Sequence, residues 1–204
     1  MKQKRFFTGS VFQFFVPEIN KYAFCKYYDF TNLSSFHGLL AHVFNYFSDT
    51  EENSLDRLMA AEPLFGHRSM DSWPKLSKQT GWRNLGILSG SDDEIVPDFK
   101  GVQALNDVIA DESSIGPWYP IHQLTQRGKN CEHSDVAHLE RKILTTTSLC
   151  LPRRTGMEYC RQNNLPIEKY YDLSNRANLL MYWQMINTPI YSTIPVGLRG
   201  KAKL

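Results

Sequence analysis

Apolar and aromatic positions crowd into short runs over the first fifty residues. Gly9-Ser10-Val11-Phe12-Gln13-Phe14-Phe15-Val16 and Tyr22-Ala23-Phe24-Cys25-Lys26-Tyr27-Tyr28 are rich in β-branched and aromatic residues, and the turn-like Pro17-Glu18-Ile19-Asn20-Lys21 separates them. This pattern predicts a β-hairpin with a five-residue loop. Residues 39–47 read as a third strand, closed by the polar stretch 48–53. Leu55, Leu58 and Met59, with Pro63 beyond them, predict a short helix. From 64 to 99, Gly and Pro punctuate short apolar pieces, chiefly 82–88, which suits more short strands.

The last third changes period. Residues 102–109 predict a short helix, whereas Gly116-Pro117-Trp118-Tyr119-Pro120 is kept out of a helix by its prolines. Ser134 or Asp135 is placed to cap a helix carrying Val136, Leu139, Ile143 and Leu144. Thr155-Gly156-Met157-Glu158 has capping-box spacing, so a helix is expected to open there and stop before Pro166. Asp172 or Ser174 is placed to cap a segment through Ile186, which is apolar nearly all round and is the expected most buried helix. The expectation is an α+β fold. A curved antiparallel sheet or partly open β-barrel occupies the β-rich module 1–101, and 102–204 forms a mostly helical section, packed with the first as one domain or standing as a separate lobe.

Composition adds bounds to this pattern. With 204 residues, 42% hydrophobic and 22% charged, the chain can bury a core without disulfides or metal. The formal net charge of +2 supplies no global field toward nucleic acid or an anionic membrane. No apolar run approaches the roughly 20 residues needed to span a bilayer, and Met1-Lys2-Gln3-Lys4-Arg5-Phe6-Phe7-Thr8-Gly9 lacks the apolar stretch of a signal peptide. A cytoplasmic location is expected. Cys25, Cys131, Cys150 and Cys160 are widely spaced, which reads as buried thiols rather than a disulfide framework.

Candidate chemistry is sparse. The chain has no Gly-x-x-x-x-Gly-Lys-Ser/Thr phosphate loop, no Gly-x-Gly-x-x-Gly and no Gly-x-Ser-x-Gly elbow. No cofactor is expected. Cys131, His133 and His138 form the nearest approach to a metal-ligand set, but histidines five apart share a helix face poorly. The acidic run Asp92-Asp93-Glu94 reads as an exposed turn. Arg153-Arg154 reads as an exposed basic pair ahead of a helix, able to grip phosphate.

Several of these segments together resemble the family known as immunity protein 26 of bacterial polymorphic toxin systems. The resemblance rests on Gly9-Ser10-Val11-Phe12, on Tyr22-Ala23-Phe24, on Trp82-Arg83-Asn84-Leu85-Gly86 and on Pro97-Asp98-Phe99. It spans about Phe6 to Gly101, and the segment beyond has no counterpart. The resemblance implies a β-rich, non-catalytic protein that binds and neutralises a cognate toxin. Asp92, Asp93 and Glu94 are the candidate surface for steering a basic toxin. Two other readings stay open. One is a small enzyme with His42, His67 or His138 in a pocket beside a carboxylate. The other is a nucleic-acid-binding barrel with Phe14, Tyr22 and Tyr27 stacking on bases.

Overall fold

The structure is a computed structural model that describes residues 6–35, 37–77, 81–88, 96–102, 116–143, 145–147 and 149–203. Strands β1 (Ser10–Val16) and β2 (Lys21–Asp29) form the expected hairpin, with Val16 opposite Lys21. The connection is one residue tighter than expected: a 3-10 turn at Pro17–Ile19, then Asn20 at φ 51°. Asparagine tolerates that left-handed conformation.

Strand β3 (Leu39–Ser48) pairs antiparallel with β2, β4 (Arg68–Ser69) adds to β3, and β5 (Arg83–Ile87) adds to β1. The order β4-β3-β2-β1-β5 makes an open five-stranded sheet. Gly86 faces Val11 and Asn84 faces Phe12, so Leu85 is an extra residue in a β-bulge. Gly86 sits there at φ +137°, which a residue with a Cβ rarely adopts.

Both faces of this sheet are covered, so β1 buries six of its seven residues. Phe12, Phe14, Val16, Tyr27 and Val43 pack on one side with Phe65, Trp82 and Leu151. On the other, Val11, Phe24 and Phe44 meet Leu58 of the connecting segment. Farther along that side, Tyr28 and Leu40 meet a second sheet through Phe99, Ile121 and Leu124. This sheet has the order β6-β7-β8, from Phe99–Val102, Trp118–His122 and Gln126–Arg127. Strand β6 straddles the boundary expected at 101/102 and pairs with β7 beyond it.

The helical section follows with α1 (His133–Val136), α2 (Cys150–Gln162) and α3 (Arg176–Ile186). Together they complete an α+β fold with its sheet at the N-terminal side. Several expected boundaries are corrected. Residues 55–60 form successive turns rather than a helix, with Leu58 buried and Met59 exposed. Helix α1 is one turn long and is capped by Glu132, while Asp135 returns the bond to the Glu132 N–H. The chain cannot continue as a helix because 140–142 is drawn onto β6, where Lys100 N–H bonds to Glu140 O and Lys142 N–H to Lys100 O.

Helix α2 starts five residues before Thr155. Pro152 fits its first turn, where a missing N–H costs nothing. Thr155 instead donates to Leu151 O at 2.8 Å from within the helix. The cap of α3 is Asn175, which accepts from Ala177 N–H and Asn178 N–H, rather than Asp172 or Ser174. α2 is the more buried helix, with eight of its 13 residues enclosed, whereas α3 buries only Met181 and Met185. The helix expected over 102–109 falls almost wholly outside the described residues; Val102 itself ends β6. No helix among the described residues is long and apolar enough to cross a membrane.

Candidate functional site

Strands β2 and β3 carry polar groups onto the side of the sheet that faces the second sheet. Lys26 and His42 are register partners, and the Lys26 ammonium lies 5.0 Å from the Tyr28 ring centre. His67, just before β4, sets its ring edge-on to Tyr28 at 5.2 Å and to His42 at 5.4 Å. The C-terminal strap closes over them with Tyr191 and Arg199, leaving a cleft of about 150 Å³ walled also by Pro63 and Pro97. His42 is half-buried as a residue, but its Nε2 is enclosed and has no hydrogen-bond partner among the described residues. Burial, reinforced by His67 and Lys26, pushes its imidazole well below the ordinary value. His42 is therefore neutral at pH 7.

His67, Tyr191 and Gly200 also line a smaller adjoining recess with Asp98, His138 and Glu140. His138 Nε2 is engaged by Lys201 O at 2.7 Å. Asp98 contacts His122 Nδ1 at 2.9 Å and accepts the Ala202 N–H. Glu140 is held by Arg68 at 2.9 Å and Arg154 at 3.4 Å. Both carboxylates at the recess are thus committed to other partners.

A more open pocket of about 500 Å³ lies beside β7, lined by His122, Lys129, Cys131 and Asp135 among others. His122 and Cys131 do not meet as a nucleophile pair. Cys131 bridges Trp118, four residues along the strand from His122, or about 13 Å at strand rise. Burial, with Asp135 and Glu132 adding to it, also raises the Cys131 thiol. A raised thiol is the wrong direction for a nucleophile. The His133 ring packs tilted against Trp118, with ring centres 4.9 Å apart. Among the described residues, no group of three His, Cys, Asp or Glu is arranged to hold a metal ion.

Other sequence-selected residues find structural positions. Phe14 and Tyr27 are fully buried core rings, and the half-buried Tyr22 packs on the opposite side, so the three do not form one stacking platform. Trp82 and Phe99 are buried as well, and Trp82 stacks on Phe14 at 4.6 Å. All four cysteines are free; Cys25 and Cys160 are buried, Cys131 and Cys150 half-buried. Asp92, Asp93 and Glu94 lie outside the described residues.

The Arg153-Arg154 expectation is corrected at Arg154, which is buried inside α2 and bonds Glu158 at 2.6 Å. Glu158 also holds Arg161 at 2.6 Å, giving the series Arg68–Glu140–Arg154–Glu158–Arg161, buried except for the half-buried Arg161. Arg161 continues to Met185 O and Thr188 O, and Lys100 reaches Asn187 O at 3.4 Å. Four cations thus share two carboxylates and the carbonyl end of α3, whose dipole is negative there. Only the spacing of Arg154, Glu158 and Arg161 hinted at this series in the sequence, since side chains four and three apart meet on one helix face. Comparison with protein-family profiles, with curated proteins and with solved structures finds no match to this chain.

Proposed function

We propose that this chain is an immunity protein of the immunity protein 26 kind, which neutralises a partner toxin in the cytoplasm by stoichiometric binding and turns over no substrate. The carrying observation is where the resemblance-bearing residues sit. Gly9 to Phe12 enter β1, Tyr22 to Phe24 lie in β2, and Trp82 to Gly86 lead through β5. These strands are direct neighbours in the order β2-β1-β5. Pro97 to Phe99 lead into β6, and Phe99 closes the second core against Tyr28. The shared pattern is therefore scaffold. Exposed positions are left to match one partner through a few anchors and through charge.

Asp92, Asp93 and Glu94 are the proposed steering charges for a basic toxin such as a nuclease. The test is co-expression with the toxin domain encoded beside the gene, scoring survival and complex formation. Survival with a one-to-one complex is expected. Cell death with no complex at micromolar concentration refutes the reading. Reversing the three charges should slow association and weaken its salt dependence; an unchanged rate removes only that surface.

One observation favours a second reading, a small enzyme. The His122 Nδ1 contact with Asp98 orients a ring whose Nε2 lies over Gly128 in the larger pocket. A carboxylate that fixes the tautomer leaves Nε2 as a base. Survival that depends on His122 and tracks loss of a small substrate, with no complex formed, selects this reading instead.

A further inference from the structure

We propose that the pocket of about 500 Å³ beside β7 is a binding site for an uncharged small molecule that donates a hydroxyl or ring N–H hydrogen bond to His122 Nε2. Its volume lies within the roughly 300–1,000 Å³ of small-molecule sites. The inference concerns recognition and not turnover, so it stands whether or not the chain neutralises a toxin.

Asp98 fixes the acceptor from behind. Its Oδ1 lies 2.9 Å from His122 Nδ1, its Oδ2 accepts the Ala202 N–H at 2.9 Å, and its own N–H donates to Gly200 O at 2.9 Å. An ionised carboxylate only accepts, so a singly protonated ring keeps its proton on Nδ1 and turns the lone pair of Nε2 outward. The ring is 33% exposed. Its Nε2, unlike that of His42, is not enclosed, and it has no hydrogen-bond partner among the described residues. Glycine at 128 keeps that atom open, since a Cβ there would lie 3.2 Å from Nε2 and 2.6 Å from Pro120 Cγ.

The surroundings narrow the guest. Lys129 follows Gly128 and lines the same pocket, which disfavours a cation beside Nε2. An anion would face the Nε2 lone pair with the Asp98 carboxylate behind the ring. Glu132 and Asp135 belong to the Cys131 end of the pocket, and each accepts the other's backbone N–H in the α1 capping box. Cys131 keeps its proton, since burial and those two carboxylates raise its thiol. The Pro120 ring and the Gly128 backbone offer apolar contact next to Nε2. An uncharged ring bearing one donor, such as a phenol, meets each of these conditions.

The experiment follows the His122 ring nitrogens by NMR in the full chain at about pH 8.5, titrating with phenol, anisole, benzoate and benzylammonium. In the unaltered chain the ring proton should sit on Nδ1, and phenol should shift Nε2 saturably. Anisole, which has the same ring and no donor, should bind about tenfold more weakly. Benzoate and benzylammonium should also bind more weakly than phenol. Asp98→Asn tests the positioning. The Ala202 N–H claims the single oxygen of the substituted side chain, so the amide NH2 faces Nδ1 and the ring proton moves to Nε2. The preference for phenol over anisole should then fall to near unity. The ligand comparison uses the unaltered chain, so it decides even where that substitution loosens the strap. The proposal is overturned if phenol leaves the ring unchanged, if Nε2 carries the proton in the unaltered chain, if anisole matches phenol there, if either charged ligand binds more tightly than phenol, or if a folded Asp98→Asn chain keeps the preference.

Discussion

Gly156 sits in the interior of α2, where helix propensity alone favours alanine by about 1 kcal/mol. The structure predicts the opposite outcome for Gly156→Ala. A Cβ there would fall on the Tyr171 hydroxyl and lie 2.8 Å from Val16 Cγ1, so α2 approaches β1 and the 167–171 turn too closely to admit it. Overpacking of this kind costs about 1–3 kcal/mol, and direct overlap with an enclosed hydroxyl belongs at the upper end. After subtracting the propensity gain, a net loss of about 2 kcal/mol remains, or about 4–8 °C in Tm for a chain of this size. The Tyr171 hydroxyl has no hydrogen-bond partner among the described residues, so Tyr171→Phe alone should be neutral or stabilise by up to about 1 kcal/mol. In the Tyr171→Phe background the nearest ring atom stands at 3.1 Å while Val16 Cγ1 still stands at 2.8 Å, so the Gly156→Ala penalty should shrink without vanishing. Thermal and urea denaturation of the four proteins form a double-mutant cycle. A rise in Tm for Gly156→Ala, or an equal penalty in both backgrounds, would refute the close-approach argument.

Glu158→Gln should cost about 3–5 kcal/mol in urea denaturation, because it leaves buried Arg154 and half-buried Arg161 without their shared carboxylate; a loss under 1 kcal/mol would show that the series is not energetically coupled. Acid should destabilise the fold in two stages. Unfolded His42 takes up a proton below about pH 6.5 that the folded chain disfavours, so stability is full above that pH and declines beneath it. Burial would raise the Glu140 carboxyl, but Arg154 and Arg68 outweigh it and hold it below its usual range, so its contribution is present above about pH 4.3 and is lost as pH falls through the folded value. Tm measured from pH 8 to 3 should show both declines, and His42→Gln should reduce the first, the remainder coming from His37, which burial and Lys142 also lower. Trp82→Ala and Phe99→Ala should each cost about 3–5 kcal/mol, checked by the denaturation midpoint, since both rings are buried in separate cores.

The sheet was legible because strand-forming runs and turn residues alternate over the first fifty positions. Their facing was not. A strand covered on both sides loses the apolar–polar alternation that assigns a side, so Phe14 and Tyr27 could not be told from surface rings. Helix ends were misplaced where longer-range pairing won: residues 140–142 join β6 instead of prolonging α1, and Thr155 bonds backward inside α2. Arg154 looked exposed because its partners are not all local; Glu158 is four residues away, but Glu140 approaches from a different segment. The cleft was least legible. His42, His67 and Arg199 lie far apart in the chain, and no spacing rule links them.

The bulged β5 and the two-residue β4 form the margins of the main sheet, and this limits how another molecule can take hold of it. A long, flat margin would invite a foreign strand to continue the hydrogen-bond ladder. Here β4 presents only Arg68 and Ser69, while β5 bends at Gly86 and the Ser77–Trp82 bridge sits beside its first residue. Among the described residues, neither margin offers the straight run of free backbone groups that strand addition requires. A partner at this sheet must therefore gain its grip through side chains and recesses, and the same blunting disfavours edge-to-edge pairing of the main sheet with that of another copy.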